Sequence, residues 1–161
     1  WHVYESYKLV DPSANGTLSG TVKSFNSTTD PVTVQLFKSG SSSAAYNTTV
    51  KGNSASYTIS GITPGSYTMK VSKKNHVTRE YTITVGAQAV TQNAQIHLKG
   101  DVTMDGAVNI GDSQRLFEHL QGNAITDKYQ RALAEVTGDG MVNIGDSQRL
   151  FEHLQGVSSL F

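Results

Sequence analysis

From Thr17 to Leu98 polar and apolar residues alternate with period two, and turn-forming clusters interrupt the alternation about every ten positions. The pattern predicts seven short strands, over 17–26, 32–38, 44–51, 56–60, 66–73, 77–85 and 90–98. Strands of this number and length make a small sandwich. Val32, Val34 and Leu36 fall on one side, as do Tyr57 with Ile59, Tyr67 with Met69 and Val71, and Tyr81 with Ile83 and Val85. That face is the expected core, because alternate residues of a strand share a face. The other face carries Ser, Thr, Lys and Gln, as a solvated sheet face requires. After Leu98 the period lengthens. Helices are expected over about 111–121 and 145–155, each stopped by a glycine, Gly122 or Gly156. Thr126 is placed to cap a further helix over 127–134. Val108, Leu116 and Leu120 should pack against Val142, Leu150 and Leu154, with Ile125, Ala132 and Leu133 between them.

These helices belong to a repeat at an offset of 34 residues. Asp101–Gly122 and Glu135–Gly156 differ at three of 22 positions, namely Asp101/Glu135, Met104/Gly138 and Ala107/Met141. Each copy opens with a loop of twelve residues that puts side-chain oxygens at positions 1, 3, 5, 9 and 12 and glycine at 6. A hard divalent cation takes six to eight oxygens, and alternate residues of a tight loop point inward while position 7 offers its carbonyl. The first ligand set is Asp101, Thr103, Asp105, the Ala107 carbonyl, Asn109 and Asp112; the second is Glu135, Thr137, Asp139, the Met141 carbonyl, Asn143 and Asp146. Two complete sets in register point to two calcium ions, where one Asp-Gly would be only a turn. Magnesium suits such a cage less well, since it gives up water reluctantly. Gly100 follows a strand pattern, so the first loop has an exit helix and no entering one. Metal binding must then supply much of the folding free energy of so small a helical unit.

Composition narrows the function. Thirteen acids balance thirteen bases, but residues 1–99 carry four acids and nine bases and residues 100–161 nine acids and four bases, about +5 against −5. The bases are scattered along alternating segments rather than gathered in a stripe, which argues against nucleic acid. The absence of cysteine excludes disulfides, thiol nucleophiles and cysteine-based zinc sites. No apolar run approaches the roughly 18 residues of a membrane span. The chain starts at Trp1 with no recognisable leader, as expected of a mature or excised fragment. No nucleophile, base and acid constellation appears, and the aspartates are committed to the loops, so an enzyme is not expected.

The stretch SGTVKSF, VTVQLFKSG and SYTISGITPGSYTMKVSKKNHV, with its turn Pro64, Gly65, Ser66 and Tyr67, resembles the carboxypeptidase-regulatory-like and collagen-adhesin B-type sandwiches over about residues 17–98. Some adhesin relatives form a Lys–Asn isopeptide bond promoted by a buried acid. Lys23 and Asn93 lie in the first and last predicted strands, but Gly61, Ile62 and Thr63 stand where the acid would be, and both read as surface residues. Residues 100–156, with paired half-EF-hands and Asp at position 12, resemble the dockerin family, and the sandwich before them resembles an X-module. The sequence departs from the usual dockerin pattern at Thr103 and Thr137, Glu135, Ser113 and Ser147. The resemblance implies two domains: an all-β immunoglobulin/prealbumin-like sandwich over 1–99, with 1–16 as a lead-in, and a small all-α dockerin with two calcium loops over 100–161.

It also implies a non-catalytic, calcium-dependent plug for a cohesin domain of a scaffoldin or cell-surface anchoring protein, in a secreted bacterial cellulosome-like system that degrades polysaccharide. Carried over position by position, the partner contacts are Ile110, Gly111, Phe117 and Glu118 in the first copy and Ile144, Gly145, Phe151 and Glu152 in the second. Phe117 and Phe151 turn away from the leucine stripe, so contact with a partner is preferred to a core role. Matching copies imply two binding orientations. The alternative is a cell-surface carbohydrate- or wall-binding adhesion module with a calcium-stabilised appendage, using Trp1 and the strand tyrosines as platforms. His119 and His153 read as rim residues, and Leu160 and Phe161 are placed to fold back toward the start of the repeat.

Overall fold

A computed structural model describes residues 14–161; Trp1 and nearly all of the lead-in lie outside the described residues. The β part comprises β1 (Gly16–Lys23), β2 (Pro31–Lys38), β3 (Ala44–Lys51), β4 (Ser54–Ile62), β5 (Gly65–Ser72), β6 (Arg79–Val85), β7 (Ala89–Thr91) and β8 (Ala94–Gln95). One sheet runs β4-β1-β7, with β8 also beside β1, and the other runs β3-β2-β5-β6. The alternation produced these layers: Val32, Val34, Leu36, Met69 and Val71 are fully buried, with Tyr57, Ile59, Tyr67, Ile83 and Val85 beside them. Tyr81 is half-buried and packs against this core, and its hydroxyl accepts from the Gln95 backbone amide.

The expected last strand is two, both parallel to β1. The break falls where the Gln92 carbonyl turns toward β1 and accepts the Tyr57 hydroxyl at 2.5 Å. A Cβ on Gly20 would lie 2.1 Å from that carbonyl oxygen, so only glycine admits the approach. Asn93 then uses its side-chain oxygen to accept the Thr21 amide, and both it and Lys23 are exposed. The buried lysine of the sandwich is Lys73, which the sequence reading passed over. Its ammonium donates to Ser24 Oγ, Asn53 Oδ1 and the Ser27 carbonyl, and burial pushes its pKa down.

The helical part comprises α1 (Ile110–Leu120), α2 (Lys128–Ala134) and α3 (Ile144–Leu154). Asp127, not Thr126, caps α2, its carboxylate accepting the Gln130 amide. The core holds Leu116, Ile125 and Leu150 as expected, but also Val102, Ala134, Val136 and Leu160. Val102 and Val136 are position 2 of the two loops, between the expected ligands at positions 1 and 3. Ala132 is exposed, which corrects its assignment to the interface, and Leu120 is half-buried.

Leu160 does fold back: it is buried, with its Cδ1 against Gly100 and beside the approach of Leu150. His119 and His153 are half-buried, and each also has a role inside the module. The Nδ1 of His119 accepts the Ile125 amide and that of His153 accepts the Leu160 amide, so each ring fastens the chain that returns after its helix.

Tyr129 of α2 joins the two parts. Its hydroxyl donates to the Val77 carbonyl at 2.6 Å and accepts the His97 amide at 3.0 Å, while Arg79 lies over its ring. Burial raises the Tyr129 pKa to about 12, so the hydroxyl keeps its proton at any working pH. Among the contacts across the join are these hydrogen bonds, the Arg79–Tyr129 contact and a buried His97–Asp101 pair.

Candidate metal loops and docking face

Both loops are built on their exit helices. In each copy the asparagine at position 9 is the N-cap and the aspartate at position 12 is N3, so expected ligands also close a capping box. Asn109 accepts the Gly111 amide, and Asp112 accepts the Asn109 amide through Oδ2. Oδ1 of Asp112 accepts both the amide and the hydroxyl of Thr103. The second copy repeats this with Asn143, Gly145, Asp146 and Thr137, and Asp146 adds the Val136 amide. Helix and loop therefore form as one unit.

Carboxylate oxygens converge as the spacing predicts. Those of Asp101, Asp105 and Asp112 lie within 4.8 Å of one another, as do those of Glu135, Asp139 and Asp146. Asp101, Asp112 and Asp146 are fully buried. Such a donor set, all oxygen and rich in anionic carboxylates, fits a hard divalent cation. Three buried or crowded carboxylates without one would repel, and the pKa pattern shows the strain between burial and charge. Burial pushes Asp112 above the usual carboxylate range. The Ala107 amide holds Asp105 below it, and the Met141 amide does the same for Asp139.

Thr103 and Thr137 sit at the rim of the clusters, hydrogen-bonded to the position-12 carboxylates. Asn143 Nδ2 donates to Asp139, and Glu135 draws the Gly138 amide onto its Oε1 at 2.7 Å. The sequence reading missed His97. It lies four residues before Asp101 in a stretch where alternation would send it outward, yet it is fully buried and its Nδ1 is 2.9 Å from Asp101 Oδ2.

On the outer surface Ile110, Phe117, Ile144 and Phe151 are exposed large apolar residues, with Leu116 and Leu150 fully buried beneath them. Gly111, Glu118, Gly145 and Glu152 are half-buried beside them. Two copies of one apolar-tipped helix therefore stand on one small module, with Met141 exposed as well.

The described residues thus form a β-sandwich followed by a small helical unit of two acid-lined loop–helix repeats, the first entered from the sandwich without a helix. The family model described as BOS complex subunit NOMO1-like, second beta sandwich domain, matches residues 16–100, more than half of the chain, and the chain belongs to that family. The model of the type I dockerin domain matches residues 99–155. Among solved structures the chain is similar to two mutant type II cohesin–X-dockerin complexes of Acetivibrio cellulolyticus, one altered at the N-terminal and one at the C-terminal interface. Identities are 24% and 19%; each match covers 86% of this chain and 94% of the other, with a TM-score of 0.41. No curated protein matches the chain.

Proposed function

We propose that residues 99–155 are a calcium-dependent, non-catalytic plug that binds a cohesin domain of a scaffoldin or cell-surface anchoring protein, and that the sandwich is its supporting neighbour. The single observation that carries this reading is the duplicated outer surface: Ile110 with Phe117 and Ile144 with Phe151, exposed on two helices whose bases are acid-lined loops. Exposed apolar groups grouped on a small module mark a partner surface. Asp101, Asp105, Asp112, Thr103, Asn109 and the Ala107 carbonyl would hold one calcium ion, and Glu135, Asp139, Asp146, Thr137, Asn143 and the Met141 carbonyl the other. Bound calcium cancels the repulsion among the acids and so lets loop and helix keep one geometry. Two ions would take the acidic half from about −5 to about −1. The setting that suits this role is extracellular and bacterial, in a polysaccharide-degrading assembly.

The adhesion alternative is weakened at its platforms, since Tyr57 and Tyr67 lie in the sandwich core. Retention by an immobilised cohesin in calcium, lost in chelator, is the expected outcome; retention on insoluble polysaccharide without cohesin binding would replace this reading with the adhesive one. Because the two copies present the same residues, the binding face is usable in either of two orientations. Replacing Ile110 and Phe117 by Ala should change cohesin affinity by less than about threefold, and replacing all four residues should abolish binding. A large loss from the first pair alone would exclude the two-orientation model.

A further inference from the structure

The two loops are almost the same in sequence but differ in what lies on them. The sandwich roofs the first. His97, two residues after β8, donates from Nδ1 to Asp101 Oδ2, while the side-chain amide nitrogen Nε2 of Gln95 stands 3.2 Å from the other ring nitrogen. With that amide donating to the ring Nε2, the ring's N–H is left for Asp101. The imidazole stacks on Phe25, centroids 5.1 Å apart and planes at 24°, and a Cβ on Gly106 would come within 2.7 Å of the Phe25 ring. Phe25 is fixed in turn by its amide, which donates to His76 Nε2.

None of this surrounds the second loop. The residue corresponding to His97 is Arg131, which is exposed, and a Cβ on Gly140 would meet nothing within 4 Å. Among the described residues, the Glu135 side chain accepts from groups of its own loop, the Thr137 hydroxyl and the Gly138 and Asp139 amides.

We propose that the sandwich, through His97 backed by Phe25, is the positioning scaffold of the first metal loop, so that this loop takes its ion more tightly than the second. The inference rests on the calcium reading above. A carboxylate already held in one rotamer by a buried donor has less to lose on binding, and partners of this outer kind are worth about 10- to 100-fold in metal affinity. His97 therefore ties the state of the sandwich to the occupancy of one loop and not of the other. At limiting calcium the first copy fills first.

Calorimetric titration of the full chain with Ca²⁺ should resolve two steps, with Asp139→Asn removing the weaker one. His97→Leu should weaken the tighter step by about tenfold or more and leave the weaker step unchanged. His97→Asn, whose amide nitrogen takes the place of Nδ1, should restore most of the loss, which a merely space-filling role would not predict. Phe25→Ala should act in the same direction as His97→Leu, and it carries the test if the leucine variant fails to fold. Two equal sites in the native chain, an unmoved tighter step in the variants, or an equal loss at both sites would overturn the proposal. No calcium binding by the native chain would instead overturn the calcium reading itself.

Discussion

Met104 holds φ at 61°, a left-handed conformation that costs a side-chain-bearing residue roughly 1 kcal/mol, and its counterpart in the second copy is Gly138 at φ 83°. One of the three differences between the copies thus lies where the loop backbone itself asks for glycine. Gly138→Met is expected to destabilise the second unit by about 1 kcal/mol, read as a lower midpoint in chemical unfolding of the calcium-loaded chain. An unchanged midpoint would mean that position 4 of the loop relaxes to negative φ. The duplication made the ligand positions easy to find, because the same oxygens recur in register. His97 and Lys73 were hidden for the opposite reason: each lies just past the end of a strand and owes its burial to partners distant in the chain, which no periodicity reports.

At the level of elements, helices and loops are inseparable, since Asn109 and Asp112 cap α1 while belonging to the ligand set, as Asn143 and Asp146 do for α3. The helix ends were legible to within a residue because glycine stops and capping residues are local signals. The core of the helical part was less so. Leu160, from the tail, and Val102 and Val136, from the loops, lie outside any helix stripe, so a pattern of period 3.6 does not find them. Leu160 packs at Gly100, and its amide is bound by His153, so the tail closes the unit on its first residue. Leu160→Ala should therefore lower stability by about 2 kcal/mol, measured by loss of helical circular dichroism on heating in calcium. A tail that contributed nothing would leave the melting curve in place.

For the whole molecule, the join decides how far the two parts act together. The Tyr129 hydroxyl serves a donor and an acceptor that both belong to the sandwich side, and removing it strands the His97 amide in a buried setting. Tyr129→Phe is expected to cost about 2 kcal/mol and to separate the unfolding of the sandwich from that of the helical part in scanning calorimetry. An undivided transition at the native temperature would show that the coupling runs elsewhere.

The sequence by itself determined the strand faces, the duplication, the acid spacing and the apolar tips of the two outer helices, since each is encoded by residues a few positions apart. Only the tertiary structure decided that equal loops have unequal surroundings. His97, Phe25 and Tyr129 reach partners as far as 72 residues away, His97 to Phe25, and 81 residues away, Phe25 to Gly106, where β8, the segment after β1 and α2 meet. Meeting there depends on the packing of a sheet edge against a helix, a long-range free-energy balance that no local pattern records.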